Sequence, residues 1–445
     1  MRRRRAQRCV ESLRADRSNG VSIRRRDSLR ANRLPAFSVA GSFGASAATW
    51  VLLQQFAVRG LVAVKFLAIG RMLGPEAIGS VSVALLAVAI AEALSDTGLA
   101  QAVIQGEHAP TRSQLSAVWT TLTARGVLIS LLLVALAPLL NSQFHLDGSL
   151  VLLQLAALLP LLRGLASPTY YVVQRERRFQ HIAGVEVAAA FVDCSVGLAL
   201  AYGGVGAVSV LLGLVAGETL KSALTWLTMT PRPPLRMVWS GIGQYVGFSR
   251  WIWASSVINL LLNQFDKVVV GKLLGPAQLG SYQMSSRLAQ MLLADAAIAM
   301  SQYLFPTFAA HHRRNPQGAA RLIKVYLLAV AVGLAVFVEA LRLVAEPLFS
   351  LLLGAAWLPA VPLFRILVIN MAIGALIAVL VAYLRAVGDA KATVHASAIQ
   401  VVVLLASAPP AVHWWGVTGI AWSMTLGLGC AAAWMLFRTL TARTS

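Results

Sequence analysis

Two stretches of this chain are near copies of each other: GRMLGPEAIGS at residues 70–80 and GKLLGPAQLGS at residues 271–281. Six of their eleven positions are identical, and the second copy begins 201 residues after the first. Each copy lies between two long apolar stretches, so each is expected to form a turn between helices. The repeat predicts two halves with the same orientation in a membrane. A Gly-Pro turn that recurs without duplication is the other interpretation, because Gly and Pro mark turns in any fold.

The composition around these turns is strongly apolar. Of the 445 residues, 58% are hydrophobic and 12% are charged. A soluble domain carries about 25% charged residues, so the composition excludes a single soluble enzyme and a disordered or fibrous protein. The expected class is a polytopic α-helical membrane protein, because in lipid the backbone must satisfy its own hydrogen bonds. The apolar runs are too long for the alternating strands of a membrane β-barrel.

Apolar stretches of spanning length recur along the chain, at the roughly 20 residues that a helix needs to cross the hydrocarbon core. They lie near residues 44–69, 77–104, 115–140, 149–173, 181–202, 205–229, 248–273, 278–308, 321–345, 360–384, 391–411 and 416–437. The predicted fold class is therefore an all-α polytopic membrane protein with twelve spans. Six spans separate the two copies of the repeat, which predicts two parallel six-helix lobes around a central cleft.

The predicted domains follow from these spans. They are an Arg-rich arm at 1–40, an N-terminal six-helix lobe at 41–229, an inter-lobe linker at 230–247 and a C-terminal six-helix lobe at 248–445. The arm has no apolar run, so it is not a signal peptide. Two interpretations of it stay open: a disordered cytoplasmic arm that touches anionic lipid, or an artefact of a misplaced start site.

Basic residues in the loops predict the orientation. Fourteen Lys and Arg residues lie in or beside one alternate set of loops, and only Arg71 and Lys272 lie in the other set. Because cytoplasmic loops carry the excess of Lys and Arg, the first set is expected in the cytoplasm together with both termini. The loops of the other set are short, which leaves no room for an extramembrane catalytic domain.

The net charge of +21 is the usual mark of a nucleic-acid partner. Here the excess lies in the arm and in short loops, so no nucleic-acid partner is predicted. The three cysteines, Cys9, Cys194 and Cys430, share no metal or redox spacing. The sequence has no GxxxxGK[ST] motif and no clear nucleophile and His set. No cofactor, metal site or catalytic residue is therefore predicted.

Charged residues inside the apolar spans are the candidate functional residues, because a charge in lipid is costly unless it faces a cavity or a partner. Arg forms paired charge-assisted hydrogen bonds with phosphate, so cations at membrane depth are suited to an anionic lipid headgroup. The candidates for substrate binding in a cationic cleft are Arg59, Arg125, Arg163, Arg287 and Lys267. The candidates for coupling to a proton or sodium ion are Glu92, Asp96, Asp193 and Asp266.

A purely structural role stays open for each of these charges. Each Arg could pair with a buried carboxylate, and Glu92 and Asp96 could pair with Arg59 or Lys65. Glu218 and Lys221 are expected to form a local salt bridge, since they lie three residues apart on one helix. Tryptophans near the span ends are interpreted as an interfacial belt; they are Trp251, Trp253, Trp357, Trp414 and Trp415.

Five motifs in order along the chain resemble one family. The two long motifs are AIGRMLGPEAIGSVSVALLAVAIAEALSDTGLAQAVIQ (68–105) and NQFDKVVVGKLLGPAQLGSYQMSSRLAQM (263–291). The shorter ones are QRERRFQHIA (174–183), LFPTFA (304–309) and LLGAAWLPAVPLFRIL (352–367). They resemble the Wzx-like polysaccharide flippases, the exopolysaccharide-transporter branch of the multidrug/oligosaccharidyl-lipid/polysaccharide (MOP, MATE-like) superfamily. The resemblance covers residues 42–437.

The resemblance implies a transporter in the bacterial inner (plasma) membrane. It implies that lipid-diphosphate-linked oligosaccharide repeat units move from the cytoplasmic to the periplasmic face by alternating access, for exopolysaccharide or lipopolysaccharide biosynthesis. The implied partners are a polyprenyl-diphosphate-linked oligosaccharide, membrane lipids, and polysaccharide polymerase and export machinery.

Three other functions remain as alternatives. A multidrug or cation antiporter of the same superfamily is disfavoured by the several Arg residues inside the spans. A membrane-embedded glycan polymerase or ligase is disfavoured by the short outer loops. A transporter of the major facilitator type is disfavoured by the loop GEHAPTRS (106–113), which lacks the charged turn of that group.

Overall fold

The computed structural model describes residues 40–106, 108–146, 150–234, 236–238, 243–314 and 316–441. The chain divides into two compact units, Met1–Trp50 and Val51–Ser445. In the first unit, the described residues 40–50 are helical. The predicted arm at 1–40 lies outside the described residues except for its last position. The features that follow belong to the second unit.

The described residues form helices and no strand. In chain order the helices are α1 (Ala40–Leu94), α2 (Leu99–Gln105), α3 (Arg112–Gln143), α4 (Leu150–Leu165), α5 (Thr169–Arg175), α6 (Phe179–Tyr202), α7 (Val208–Thr228), α8 (Gly243–Leu274), α9 (Pro276–Ala289), α10 (Asp295–Arg314), α11 (Pro316–Leu343), α12 (Ala345–Leu352), α13 (Val361–Val387) and α14 (Ala390–Thr441). A π-helical turn at Gln290–Ala294 joins α9 to α10, and a 3-10 helix at Ala355–Ala360 precedes α13.

Seven helices of the described residues are long and apolar enough to cross a membrane. The number rises to eight when α4 and α5, which meet at a bend of 62°, are counted as one broken span. Two of the longest helices, α1 and α14, each contain a glycine with non-helical backbone angles and therefore consist of two arms. These features are consistent with the predicted twelve spans, and that number stays a prediction.

The two copies of the sequence repeat adopt the same backbone. Gly74 breaks α1 with φ 77° and ψ 178°, and Gly275 precedes α9 with φ 82° and ψ 178°. Glycine occupies these positions because a positive φ is strained for residues with a Cβ atom. A proline follows each glycine and begins the next helix, where its fixed φ suits the first turn and no amide hydrogen is needed. The shared geometry supports a duplication.

The helices pack mainly within two halves of the sequence. In the first half, α4 packs against α3 and α7, and α6 packs against α7. In the second half, α13 lies at the centre and packs against α9, α10, α11, α12 and α14. The short helix α2 of the first half touches α8 of the second. The domain boundaries at 41–229 and 248–445 stay a prediction.

The two repeat turns cross each other at one end of the bundle. A Cβ atom built on Gly79 would lie 1.7 Å from the carbonyl oxygen of Pro276. A Cβ atom built on Gly280 would lie 1.8 Å from the carbonyl oxygen of Pro75. Glycine permits two helix backbones to approach this closely, as small residues do at membrane helix interfaces. We call this the glycine-turn end, and we call the opposite end, where the basic loops lie, the basic-loop end.

The described part of the linker lies along the first half. The hydroxyl of Ser116 donates to the carbonyl of Pro234 at 2.8 Å, and the hydroxyl of Thr169 donates to the carbonyl of Pro231 at 2.6 Å. The amide of Val238 donates to the Thr120 hydroxyl at 3.1 Å. The start of the predicted linker is therefore fixed to α3 and α5, while residues 239–242 lie outside the described part.

The interfacial role expected for Trp357 is wrong. Its side chain is fully buried, and its indole Nε1 donates to the carbonyl of Gly70 at 2.9 Å. The two residues are 287 positions apart and connect the two halves at the glycine-turn end. Trp414 and Trp415 are exposed, as a belt requires.

Candidate functional site

A cavity of about 530 Å³ lies between the two halves of the bundle. Its walls come from the end of α1, from α3, α4 and α5, and from α8 on the opposite side. The lining residues are Ala89, Glu92, Ala93, Asp96, Leu122, Arg125, Gly126, Ile129, Pro160, Arg163, Gly164, Tyr171, Ser256, Asn259, Leu260, Asn263 and Gln264. The charged residues of this described wall are two carboxylates and two arginines, so the wall is balanced in charge.

Two glycines bring α3 and α4 close together behind the arginines. A Cβ atom on Gly126 would lie 2.5 Å from the carbonyl oxygen of Pro160, and one on Gly164 would lie 2.6 Å from that of Leu122. Each glycine directly follows an arginine of the cavity, Arg125 or Arg163. The close approach of the backbones therefore sets both guanidinium groups on neighbouring helices at one wall.

Arg163 is held by two carboxylates. Its Nη1 donates to both carboxylate oxygens of Glu92, at 2.9 and 2.8 Å, and its Nε donates to Glu218 at 2.8 Å. Three helices, α1, α4 and α7, meet at this network. The guanidinium is thus already neutralised, and an incoming anion must compete with Glu92 and Glu218 for it.

The local salt bridge expected between Glu218 and Lys221 is wrong. Glu218 bonds to Arg163, and Lys221 instead bonds to Glu186 at 2.7 Å. Glu186 also accepts from the hydroxyl of Tyr170 at 2.8 Å. Glu218 and Lys221 of α7 therefore each bond to a side chain of another helix, Glu218 to Arg163 on α4 and Lys221 to Glu186 on α6.

Arg125 has a different environment. Its Nη2 donates to the main-chain carbonyl of Glu92 at 2.6 Å, and its Nε donates to the hydroxyl of Ser95 at 3.0 Å. Neither acceptor is charged, and Arg125 makes no ion pair with any residue that the structure describes. Its positive charge is therefore available to an anionic ligand in the cavity.

Asp96 connects the two halves at the basic-loop end of the cavity. One carboxylate oxygen accepts from the amide of Gly98 at 3.0 Å, and the other accepts from the hydroxyl of Ser256 on α8 at 2.7 Å. Close by, the indole of Trp253 donates to the carbonyl of Leu94 at 2.7 Å. Hydrogen bonds between the halves thus narrow the cavity at this end.

The α8 wall carries a polar stripe of Asn259 and Asn263. The side-chain amide nitrogen of Asn259 donates to the carbonyl of Ser255 at 2.9 Å, and that of Asn263 donates to the carbonyl of Asn259 at 2.8 Å. Both side chains are exposed to the cavity that they line. The side-chain carbonyl oxygens of the two asparagines remain as acceptors for ligand hydroxyl groups.

The other cationic candidates lie outside the lining residues. The Lys267 Nζ donates to the Asn263 carbonyl at 2.8 Å and to the Gln264 side chain at 2.9 Å, so it lies next to the α8 wall. Arg287 lies on α9, and its Nη1 donates to the side-chain oxygen of Gln290 at 3.2 Å. Arg59 lies on α1 with an exposed side chain. The structure thus places Arg125 and Arg163 at one cavity and the other three cations outside its lining.

The remaining acidic candidates are buried away from the cavity. Asp193 forms an ion pair with Lys65, whose Nζ also donates to the carbonyl of Val210 at 3.2 Å. Asp266 accepts from the hydroxyl of Tyr282 at 2.5 Å. The expected alternative, in which Glu92 or Asp96 pairs with Arg59 or Lys65, is wrong, because Glu92 pairs with Arg163 and Lys65 with Asp193.

Sequence reasoning missed several residues of this network. Ser95, Ser256 and Glu218 each bond to a predicted candidate, although none of them was singled out as part of the site. A local signal could have pointed to the arginines: an Arg-Gly dipeptide occurs at 125–126 and again at 163–164. In both places the glycine makes the close helix contact and the arginine lines the cavity.

Comparison with known sequences identifies the family. The sequence profile of the family described as "Polysaccharide biosynthesis protein" matches residues 68–362. The chain is 25% identical to the succinoglycan biosynthesis transport protein ExoT of Rhizobium meliloti, over 76% of this chain and 68% of that protein. It is 22% identical to the lipopolysaccharide biosynthesis protein WzxC of Escherichia coli, over 72% of this chain and 65% of that protein. The teichuronic acid biosynthesis protein TuaB of Bacillus subtilis is 21% identical, over 73% of this chain and 67% of that protein.

Solved structures identify the fold. The inward closed conformation of the lipid II flippase MurJ superposes with a TM-score of 0.67 at 12% identity, covering 87% of both chains. An inward-facing multidrug resistance MATE transporter of the MOP superfamily superposes with a TM-score of 0.58 at 16% identity, covering 86% of this chain and 96% of that one. The succinoglycan relative is a transport protein by name, and both solved structures are of a flippase or a transporter. The chain therefore belongs to the polysaccharide biosynthesis protein family and has the all-helical fold of the MurJ and MATE transporters.

Proposed function

We propose that this protein is a flippase for lipid-diphosphate-linked oligosaccharide repeat units. It moves them from the cytoplasmic to the periplasmic face of the bacterial inner membrane for exopolysaccharide or lipopolysaccharide synthesis. The observation that carries this proposal is the polar cavity between the two halves, with Arg125 bound only to neutral oxygen atoms. A cation that lies at membrane depth and has no carboxylate partner is suited to bind a phosphate group.

The cavity offers different chemistry to the two parts of such a substrate. On the first half, Arg125 provides a guanidinium for the diphosphate. On the opposite wall, the side-chain oxygens of Asn259 and Asn263 provide acceptors for sugar hydroxyls. Arg163 joins the diphosphate contact only when its bonds to Glu92 and Glu218 give way. The lipid tail remains in the bilayer, so the cavity has to hold only the polar head.

The orientation is proposed from the charges of the loops. The basic-loop end faces the cytoplasm, since Lys and Arg are retained on that side of a membrane. Both termini then lie in the cytoplasm, and the glycine-turn end faces the periplasm. The partners proposed on these two faces are the enzymes that assemble the repeat unit and the polymerase and export machinery that consume it.

The arrangement of contacts supports alternating access. The two halves touch tightly at the glycine-turn end through Gly79 and Gly280. At the other end, a hydrogen bond from Ser256 to Asp96 and one from Trp253 to the Leu94 carbonyl narrow the cavity. Transport requires each set of contacts to open in turn, and a ligand can drive this only by binding the two states differently. Glu92, Asp96, Asp193 and Asp266 remain the proposed groups for ion coupling.

A multidrug or cation antiporter is the alternative function, and the fold alone permits it. A cationic drug would need an available carboxylate in the cavity. Glu92 is engaged by Arg163, and Asp96 by Ser256 and by the amide of Gly98. Both carboxylate oxygens of Asp96 already accept a hydrogen bond, whereas the Nη1 group of Arg125 bonds to none of the described residues, and this favours an anionic substrate.

Replacing Arg125 with glutamine is expected to reduce transport at least about tenfold, since a charge-assisted hydrogen bond contributes about 1.5–3 kcal/mol. Lysine at the same position is expected to retain part of the activity, because it keeps the charge and loses the paired hydrogen bonds. Transport is measured as the rate at which a labelled lipid-linked oligosaccharide appears on the opposite leaflet of proteoliposomes. Full activity of Arg125→Gln at normal protein content would overturn the assignment of Arg125.

The matched control for this variant is Arg112→Gln. Arg112 lies on the same helix as Arg125, is exposed and does not line the cavity. The two substitutions remove the same charge from the same helix. Transport by Arg112→Gln is expected to equal that of the unmodified protein.

The function itself is tested by deleting the gene. We expect loss of surface polysaccharide together with accumulation of lipid-diphosphate-linked oligosaccharide at the cytoplasmic face. A strain complemented with Arg125→Gln should show the same accumulation, and one complemented with Arg112→Gln should not. If the polymer is unchanged and no intermediate accumulates in a strain without a paralogue, the flippase proposal is wrong, and drug efflux is measured next.

A further inference from the structure

A second cavity, separate from the polar cavity between the two halves, lies on the surface of α13. It has a volume of about 490 Å³, which is within the range of roughly 300–1,000 Å³ that ligand pockets occupy. Its lining is apolar except at one end, where Arg385 stands. The wall consists of Phe305 of α10 and a stripe of α13 formed by Gly374, Ile377, Ala378, Val381 and Ala382. We call it the α13 groove.

The length of the α13 groove matches one leaflet of a bilayer. Gly374 and Arg385 are eleven residues apart on one helix, which is about 16 Å at 1.5 Å per residue. Half of the hydrocarbon core of a bilayer is about 15 Å thick. Arg385 lies in the last turn of α13, two residues before the helix ends. The groove therefore runs from the level of the lipid headgroups to about the middle of the membrane.

Both ends of the groove are open to a ligand. A Cβ atom built on Gly374 would meet no heavy atom within 4 Å, and the Phe305 side chain is 45% exposed. The Arg385 side chain is exposed, and its guanidinium makes no hydrogen bond or ion pair with any residue in the part of the chain that the structure describes. A single positive charge thus stands at the headgroup end of an apolar channel.

We propose that the α13 groove binds one acidic phospholipid, with its phosphate on Arg385 and one acyl chain along α13 towards Gly374. One guanidinium matches the single negative charge of a phosphodiester headgroup, and basic pockets between membrane helices bind such headgroups. An acyl chain that ends near the bilayer centre fits a groove of one-leaflet length, whereas a polyprenyl chain extends well beyond it. This site does not depend on the proposed transport activity.

The test compares lipid retention by the full-length protein in detergent, measured by native mass spectrometry. Equal amounts of dioleoyl phosphatidylglycerol and dioleoyl phosphatidylcholine are offered. The unmodified protein is expected to retain the acidic lipid about fivefold better, the effect of one Arg at an anionic membrane surface. Arg385→Gln is expected to retain both lipids equally. Gly374→Leu, which fills the groove, is expected to lose both.

Two control variants match these changes. Arg112→Gln removes the same charge at the same end of the bundle, and it should keep the preference for the acidic lipid. Gly333→Leu adds the same side chain on α11, where a Cβ atom also meets open space, and it should retain both lipids. Arg385→Gln removes no internal contact, so it decides the question even if Gly374→Leu fails to fold.

Several results would overturn the proposal. Equal retention of the two lipids by the unmodified protein would mean that the groove holds only bulk lipid. An unchanged preference in Arg385→Gln, or an equal loss of preference in Arg112→Gln, would place the selectivity elsewhere. Displacement of the acidic lipid by a smaller amount of a polyprenyl monophosphate would make the isoprenoid chain the occupant. The results with the two phospholipids do not bear on the flippase proposal, which depends on the polar cavity between the two halves.

Discussion

Replacing Gly79 with alanine is expected to reduce transport at least about tenfold. The added Cβ atom would stand 1.7 Å from the carbonyl oxygen of Pro276, and a main-chain atom cannot move aside as a flexible side chain can. Overpacking of this kind costs about 1–3 kcal/mol or more, and the cost falls only on the state in which the turns touch. The equilibrium therefore shifts about tenfold or more towards the state that is open at the glycine-turn end.

Gly280→Ala should have the same effect, because Gly280 makes the same contact with Pro75 across the repeat, at 1.8 Å. Gly60→Ala and Gly184→Ala are the matched controls. They are helical glycines whose Cβ atoms meet no heavy atom within 4 Å. Both controls are expected to transport normally, since alanine favours a helix more than glycine does.

A second measurement reports the conformation directly. A cysteine replaces Asn259 in the cavity, in a chain from which Cys9, Cys194 and Cys430 have been removed. An impermeant maleimide is added to intact cells, and on the proposed topology it reaches the glycine-turn end. Labelling should be slow in the parent chain and clearly faster with Gly79→Ala or Gly280→Ala. Unchanged labelling together with normal transport would show that the crossing does not hold this end closed.

Removal of either partner of the Lys65–Asp193 pair is expected to destabilise the protein by about 3–5 kcal/mol, the cost of leaving a buried charge uncompensated. Both side chains are buried, and they connect α1 to α6, with a further bond from Lys65 to α7. Lys65→Met and Asp193→Leu should therefore each lower the unfolding temperature of the protein in detergent. The double variant should recover much of the lost stability, because two apolar side chains can replace a buried ion pair at little cost in free energy.

The exposed pair between Arg178 and Glu176 is the control, with its charged atoms 3.5 Å apart. Arg178→Met is expected to change stability by less than about 1 kcal/mol, as exposed pairs do. The double variant at positions 65 and 193 also separates two roles of Asp193. If it is stable and transports, Asp193 only fixes the helices. If it is stable and inactive, the carboxylate takes part in transport. Equal stability of the single and double variants would contradict a coupled ion pair.

Much of the fold follows from local features of the sequence. The length of an apolar run can be compared directly with the thickness of a membrane, so the helices could be located without knowledge of their neighbours. The repeat GRMLGPEAIGS and its copy predicted equivalent turns, and Gly74 and Gly275 adopt nearly the same backbone angles. Asn259 and Asn263 line the cavity together, because residues four apart share one face of a helix.

The partners of the buried charges were decided by the tertiary structure. Arg163 bonds to Glu218, 55 residues away, and Lys65 bonds to Asp193, 128 residues away. Spacing within a helix tells which face a side chain occupies, but it does not tell which helix packs against that face. The same limit explains Trp357, which lies near a span end in the sequence but is buried against Gly70 of the other half. The sequence by itself determined which stretches are apolar enough to span a membrane, where the Gly-Pro turns lie and the charge pattern of the loops. Packing decided that Arg163 is neutralised and Arg125 is not, because only contacts between helices place carboxylates beside one arginine and neutral oxygens beside the other.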